Sequence, residues 1–129
     1  MGSRNVIRLL TRATPGLAIA AAGLFAGAAL ADSFSNIDLR SVESQDLCMS
    51  QAMRPLEILA GENGANTPDL TQGRWSTFGW DIPPRAADIS IICPEINGTV
   101  YPFATAHTQG DDNSPGDVIE RLAEIFNKL

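Results

Sequence analysis

Apolar and polar positions follow helical rhythm in two parts of this chain. From Ser44 onward, Leu47, Cys48, Ala52, Leu56 and Leu59 recur near a 3.6-residue spacing. That pattern predicts a helix capped by Ser41 or Ser44, running to about Ala60 and stopped by Gly61. Pro55 lies inside it, where the ring removes one backbone bond and crowds the preceding turn, so a kink or two short helices are expected. Near the C-terminus, Val118, Ile119, Leu122, Ile125, Phe126 and Leu129 form one apolar face. Ser114 is placed to cap that helix, Pro115 to occupy its first position and Asp117 to face the positive end of its dipole. Asp117 with Arg121 and Glu124 with Lys128 have the spacing of favourable i,i+4 ion pairs.

Between these stretches the pattern is weaker. Residues 32–40 read as an extended arm with Phe34, Ile37 and Leu39 able to pack. Residues 61–73, with three glycines, two asparagines and Pro68, read as a loop in which Thr67 and Pro68 can start one short turn. Arg85–Cys93 is ambiguous. Pro83-Pro84 suit a helix start and Pro94 a helix end, but Ile89, Ile91 and Ile92 are β-branched. Asn97-Gly98 is a hairpin signal, with Thr99–Tyr101 as a returning strand that Pro102 restricts to an edge. The reading is a mostly α, small disulfide-tied helical domain, with an α+β fold carrying a hairpin near 88–105 as the alternative.

The first 31 residues carry Arg4, Arg8 and Arg12, no acid, an uncharged run from Leu17 to Ala31, and the close Ala29-Leu30-Ala31. A positive start, a short apolar core and a small-x-small end describe a secretory signal peptide cleaved after Ala31. The run is shorter than the roughly 20 residues of a spanning helix. The expected organisation is therefore a signal peptide over 1–31 and a single secreted domain over 32–129, destined for the cell envelope or the exterior.

The leader changes the charge. The full chain carries −6, whereas residues 32–129 hold six basic and fifteen acidic residues, a net of −9. Such acidity repels nucleic acid and anionic lipid and favours cations or basic partners. Export also changes the reading of Cys48 and Cys93, the only two cysteines. In an oxidising compartment they are expected to pair as a structural staple, and no C-x-x-C motif suggests redox work.

Chemical motifs are sparse. His107, the only histidine, reads as a surface residue in a polar loop. Neither a zinc ligand set nor any other metal site is expected. A calcium loop starting at Asp111 would fit Gly116 at its sixth position, but it fails with Pro115 at the fifth and Leu122 at the twelfth. No nucleophile elbow, phosphate loop or marked carboxylate pair is present, so neither a catalytic residue nor a cofactor is assigned and the chain is not read as an enzyme. Asn97-Gly98-Thr99 fits the acceptor pattern for N-glycosylation. Trp75, Phe78 and Trp80 are the candidate ligand or interface aromatics, because such rings join an apolar body to a polar edge. The competing use for them is filling the core of a small domain.

Asp32-Ser33-Phe34 with Asn36, Gly73-Arg74-Trp75-Ser76-Thr77 and the pair Cys48 and Cys93 resemble the small α-helical cell-wall porins of corynebacteria, of the porin B type. The resemblance implies a disulfide-tied helical subunit that oligomerises into a channel, and a membrane role only as an oligomer. The function expected from the sequence is thus an exported envelope or extracellular protein, channel-forming as a homo-oligomer or envelope component. The alternative is a soluble secreted binding module using the Trp75–Trp80 segment.

Overall fold

The computed structural model describes residues 32–110 and 113–129. The leader and the start of the tested calcium loop, Asp111 and Asp112, lie outside these residues. Nine elements follow in order: β1 (Ser33–Asp38), α1 (Gln45–Glu62), β2 (Asp69–Gln72), β3 (Ser76–Ile82), β4 (Ala87–Ile92), β5 (Glu95–Ile96), β6 (Thr99–Val100), β7 (Phe103–Thr108) and α2 (Gly116–Phe126). Five strands form one antiparallel sheet in the order β1-β7-β4-β3-β2, and β5 and β6 form a separate hairpin. The domain is α+β, which overturns the mostly α expectation and with it the helical subunit implied by the porin likeness.

The physical reason lies in period-2 alternation along the strands, which settles the ambiguity of residues 85–93 in favour of a strand. β4 and β7 each alternate buried and half-buried residues, with Ala87, Ile89, Ile91, Ala104, Ala106 and Thr108 turned inward. β-branched residues suit this pleated, half-buried surface. Pro83-Pro84 opens no helix; it lies in the turn between β3 and β4 and its peptide bond is cis. The stretch read as an arm is β1, paired along its whole length with β7. The stretch read as a loop contains β2, which pairs with β3. The Asn97-Gly98 signal does form a tight hairpin, with φ of 53° and 79° at the two positions. That hairpin is an excursion between the longer partners β4 and β7.

Both helices lie on one face of the sheet. α1 starts at Ser44, whose hydroxyl accepts from the Leu47 N–H at 3.1 Å. It continues through Pro55 as one helix to Glu62, and Pro55 itself is buried. Because β1 and β2 are opposite edges, α1 carries the chain across the sheet. α2 returns over β1 and β7 and packs against α1. Pro115 stands at its cap position and the Ser114 hydroxyl accepts from the Gly116 N–H at 3.4 Å. Phe126, Leu56, Leu59, Ile89, Ile119 and Leu122 are among the largest fully buried side chains between the layers.

The ion pairs of α2 differ from the i,i+4 expectation because tertiary partners compete for the same groups. Arg121 reaches Glu62 on α1 at 2.6 Å and Glu124 at 2.7 Å. Asp117 holds the Arg85 guanidinium at 2.7 and 3.0 Å. A two-pronged guanidinium–carboxylate contact is geometrically more specific than a flexible pair along one helix. The Cys48–Cys93 disulfide joins α1 to the residue after β4, with both cysteines fully buried.

Candidate functional site on the open face of the sheet

The inward set of strand residues meets the helices; the alternate set faces the other way, where no helix lies among the described residues. Strand register arranges this open face in rows. Phe34, His107 and Asp88 are neighbours on β1, β7 and β4, and Trp80 stands opposite Asp69 on β3 and β2. The next row holds Asn36, Thr105, Ser90, Phe78 and Thr71. The last holds Asp38, Phe103, Ile92 and Ser76. Hydroxyls in the middle row meet each other, with Ser90 Oγ and Thr105 Oγ1 at 3.4 Å.

The candidate aromatics are not core. Trp75 is 51% exposed and Trp80 45% exposed, and Phe78 is half-buried. The rings of Phe78 and Trp80 are stacked, with centroids 6.1 Å apart and planes within 15°. Trp75 precedes β3 in a bend, its carbonyl accepting from the Cys93 N–H at 2.9 Å. Two of the three aromatics are therefore brought together, on alternate positions of one strand.

Sequence reasoning missed the corner beside them. His107 sits on a central strand, not in a loop. Its Nε2 is 3.2 Å from Asp32 Oδ2 and its Nδ1 is 3.7 Å from Asp88 Oδ2. The Phe34 ring, 68% exposed, leans over the imidazole at a centroid distance of 4.7 Å. The available signal was the alternation Phe103-Ala104-Thr105-Ala106-His107, small residues beneath helices and large or polar ones outside.

A β-bulge shapes the same corner. Gly79 pairs with Ile89 but Ile82 with Ala87, so β3 carries one extra residue there. The Asp81 N–H freed by the bulge donates to Asp88 Oδ1 at 3.2 Å. A cleft of about 160 Å³ opens alongside, lined by Asp81, Arg85, Ala86, Asp88, His107, Gln109 and Asn113. Two of its residues, Asp81 and Ala86, have φ near +50°. For alanine this is a costly conformation, of the kind that clusters at working sites. Arg85 is the cation of this cleft, and its guanidinium is already committed to Asp117 and the Asn113 side chain. The Asp117 carboxyl is correspondingly held below its ordinary range by the hydrogen bond from Arg85.

Chemically, the face offers rings, hydroxyls, an amide and carboxylates on a rigid sheet. His107 meets two carboxylates in place of a nucleophile. Among the described residues no three His, Cys, Asp or Glu side chains converge closely enough to hold a metal ion. This arrangement is suited to holding a ligand by contact. The chain matches no protein-family model, no curated protein and no solved structure.

Proposed function

We propose that this chain is an exported binding module whose working surface is the open face of the sheet. One observation carries the reading. Phe34 and Trp80, 68% and 45% exposed, stand on the face that no helix covers among the described residues, while the core beneath the other face closes without them. The two rings lie on β1 and β3, with the half-buried Phe78 and Phe103 on the same face, and a sheet face carrying several accessible rings is the chemistry of a contact surface. The channel alternative would build its walls from amphipathic helices, but α1 and α2 spend their apolar faces on the sheet. Export rests on the leader pattern of residues 1–31, and a buried disulfide accords with an oxidising compartment.

Two measurements test this. Expression of the full-length gene in a bacterial host, followed by N-terminal sequencing of the exported product, should give a chain beginning at Asp32. Amide NMR of the purified protein, titrated in turn with an arginine-rich peptide, a glutamate-rich peptide and a neutral oligosaccharide, should give saturable shifts for at least one. Those shifts should fall on open-face positions of β1, β3, β4 and β7. Saturable binding that maps to the helices, or no response of the face to any probe, overturns the reading.

A further inference from the structure

The open face pairs carboxylates with rings. Across the register Asp69 is the direct partner of Trp80, and Asp38 of Phe103. Asp88 faces His107, whose ring lies under Phe34. Residues directly opposite on neighbouring strands have Cβ atoms about 5 Å apart, so one incoming group can touch both members of a pair. A carboxylate beside an aromatic ring is the chemistry that takes a guanidinium or ammonium, one partner supplying the ion pair and the other its negative π-face. Neutral sugars also stack on rings, but they gain nothing from formal charge.

The placement of cations points the same way. Among the described residues no Lys or Arg occupies an open-face strand position. Arg54 and Arg121 are paired with Glu57 and Glu62 on the helices, and Arg85, which lines the cleft at the corner of the face, is held by Asp117. Among the described residues no ion pair engages Asp38 or Asp69 on this face, and residues 32–129 carry a net charge of −9. Five strands at a spacing of about 4.8 Å make it roughly 19 Å wide, the reach of about six extended residues.

Resting on the binding-face reading above, we propose that the occupant is a cationic polypeptide segment, its Arg or Lys side chains seated on the paired carboxylates and rings of Asp69 with Trp80 and Asp38 with Phe103.

The test uses a ten-residue peptide with arginine at every third position and serine between, titrated into the purified protein and followed by amide NMR. Asp38→Asn with Asp69→Asn is the informative double variant, because both side chains are exposed and neither caps the bulge. Binding should map to the open face, weaken about tenfold in the double variant and fall steeply with added salt. Trp80→Leu, which keeps bulk but loses the π-face, should weaken it about threefold. Preferential binding of the neutral oligosaccharide or the glutamate peptide at this face overturns the cationic partner while leaving the binding face standing. So does peptide binding indifferent to salt and to the double variant. Peptide shifts confined to acids on the helices also overturn the proposal. Silence of the face towards every probe overturns both it and the reading beneath it.

Discussion

Cys48 in the first turn of α1 and Cys93 just past β4 stand 6.0 Å apart at their Cα atoms and are joined by a disulfide. The bond joins positions 45 apart in sequence and encloses β2, β3 and β4. In the chain-entropy picture, closing a loop of that size removes about 4 kcal/mol of unfolded-state freedom. A domain this small has a total stability of only about 5–15 kcal/mol. Reduction, or replacement of both cysteines by alanine, should lower the melting temperature by about 15 °C or more. Thermal melts with and without reductant check this, and coincident melts would refute it.

Acid should loosen two links, the one between α1 and α2 through Glu62 and Arg121 and the one between α2 and the β3–β4 turn through Asp117 and Arg85. The hydrogen bond from Arg85 lowers the Asp117 carboxyl, and the hydrogen bonds from Arg121 lower Glu62. A carboxylate whose pKa is lower folded than unfolded contributes stability that is complete above the unfolded value. That contribution is lost as pH falls through the folded value. Both pairs are exposed and screened, so the effect is small. The expected outcome is a melting temperature that declines by a few degrees as pH falls from about 5 to about 3. The slope should flatten in Asp117→Asn with Glu62→Gln. An unchanged slope in that double variant would remove these two groups from the acid response.

How much of this was legible in the chain differs by element. The positions of α1 and α2 are legible because each carries apolar residues at helical spacing over several turns and Ser44 is one of two cap candidates. But α1 runs unbroken through Pro55, and Pro115, not Ser114, takes the cap position of α2. The β-sheet was largely missed because its inward positions are small or β-branched in runs of four to seven residues, too short for periodicity to arbitrate. Proline misled at Pro83-Pro84, since the same residues that start helices also make turns. For the site, Phe78 and Trp80 were visible as an aromatic cluster. Phe34, Asp69, Asp88 and His107 were not, because cross-strand register over dozens of residues brings them together and no local motif marks them.

Truncation of Leu56 should cost far more stability than truncation of Trp80. Leu56 is fully buried between α1 and the sheet, so Leu56→Ala removes packing and leaves a cavity costing about 2–5 kcal/mol. Trp80 stands on the open face, and Trp80→Ala should change stability by less than about 1 kcal/mol while weakening any ligand bound there. Chemical denaturation of the two variants separates the outcomes. A large loss of stability in Trp80→Ala would return this ring to the core and remove its part in the proposed surface.

Ala86 supplies the sharpest test of strain at the cleft. Its φ of 50° places a Cβ in the left-handed region, which costs an L-residue about 1–2 kcal/mol. Glycine takes that conformation freely but carries about 0.5–1 kcal/mol of extra unfolded-chain entropy. The first term is the larger, so Ala86→Gly should stabilise the protein by a few tenths to about 1 kcal/mol. That sign is opposite to the usual cost of introducing glycine. Because Ala86 lines the cleft beside Asp88 and His107, a stability gain accompanied by weaker ligand binding would mean that the strained turn holds the cleft in its binding shape. Equilibrium denaturation and the peptide titration, run on the same variant, read the two quantities separately. A loss of stability would show that the turn carries no strain at Ala86.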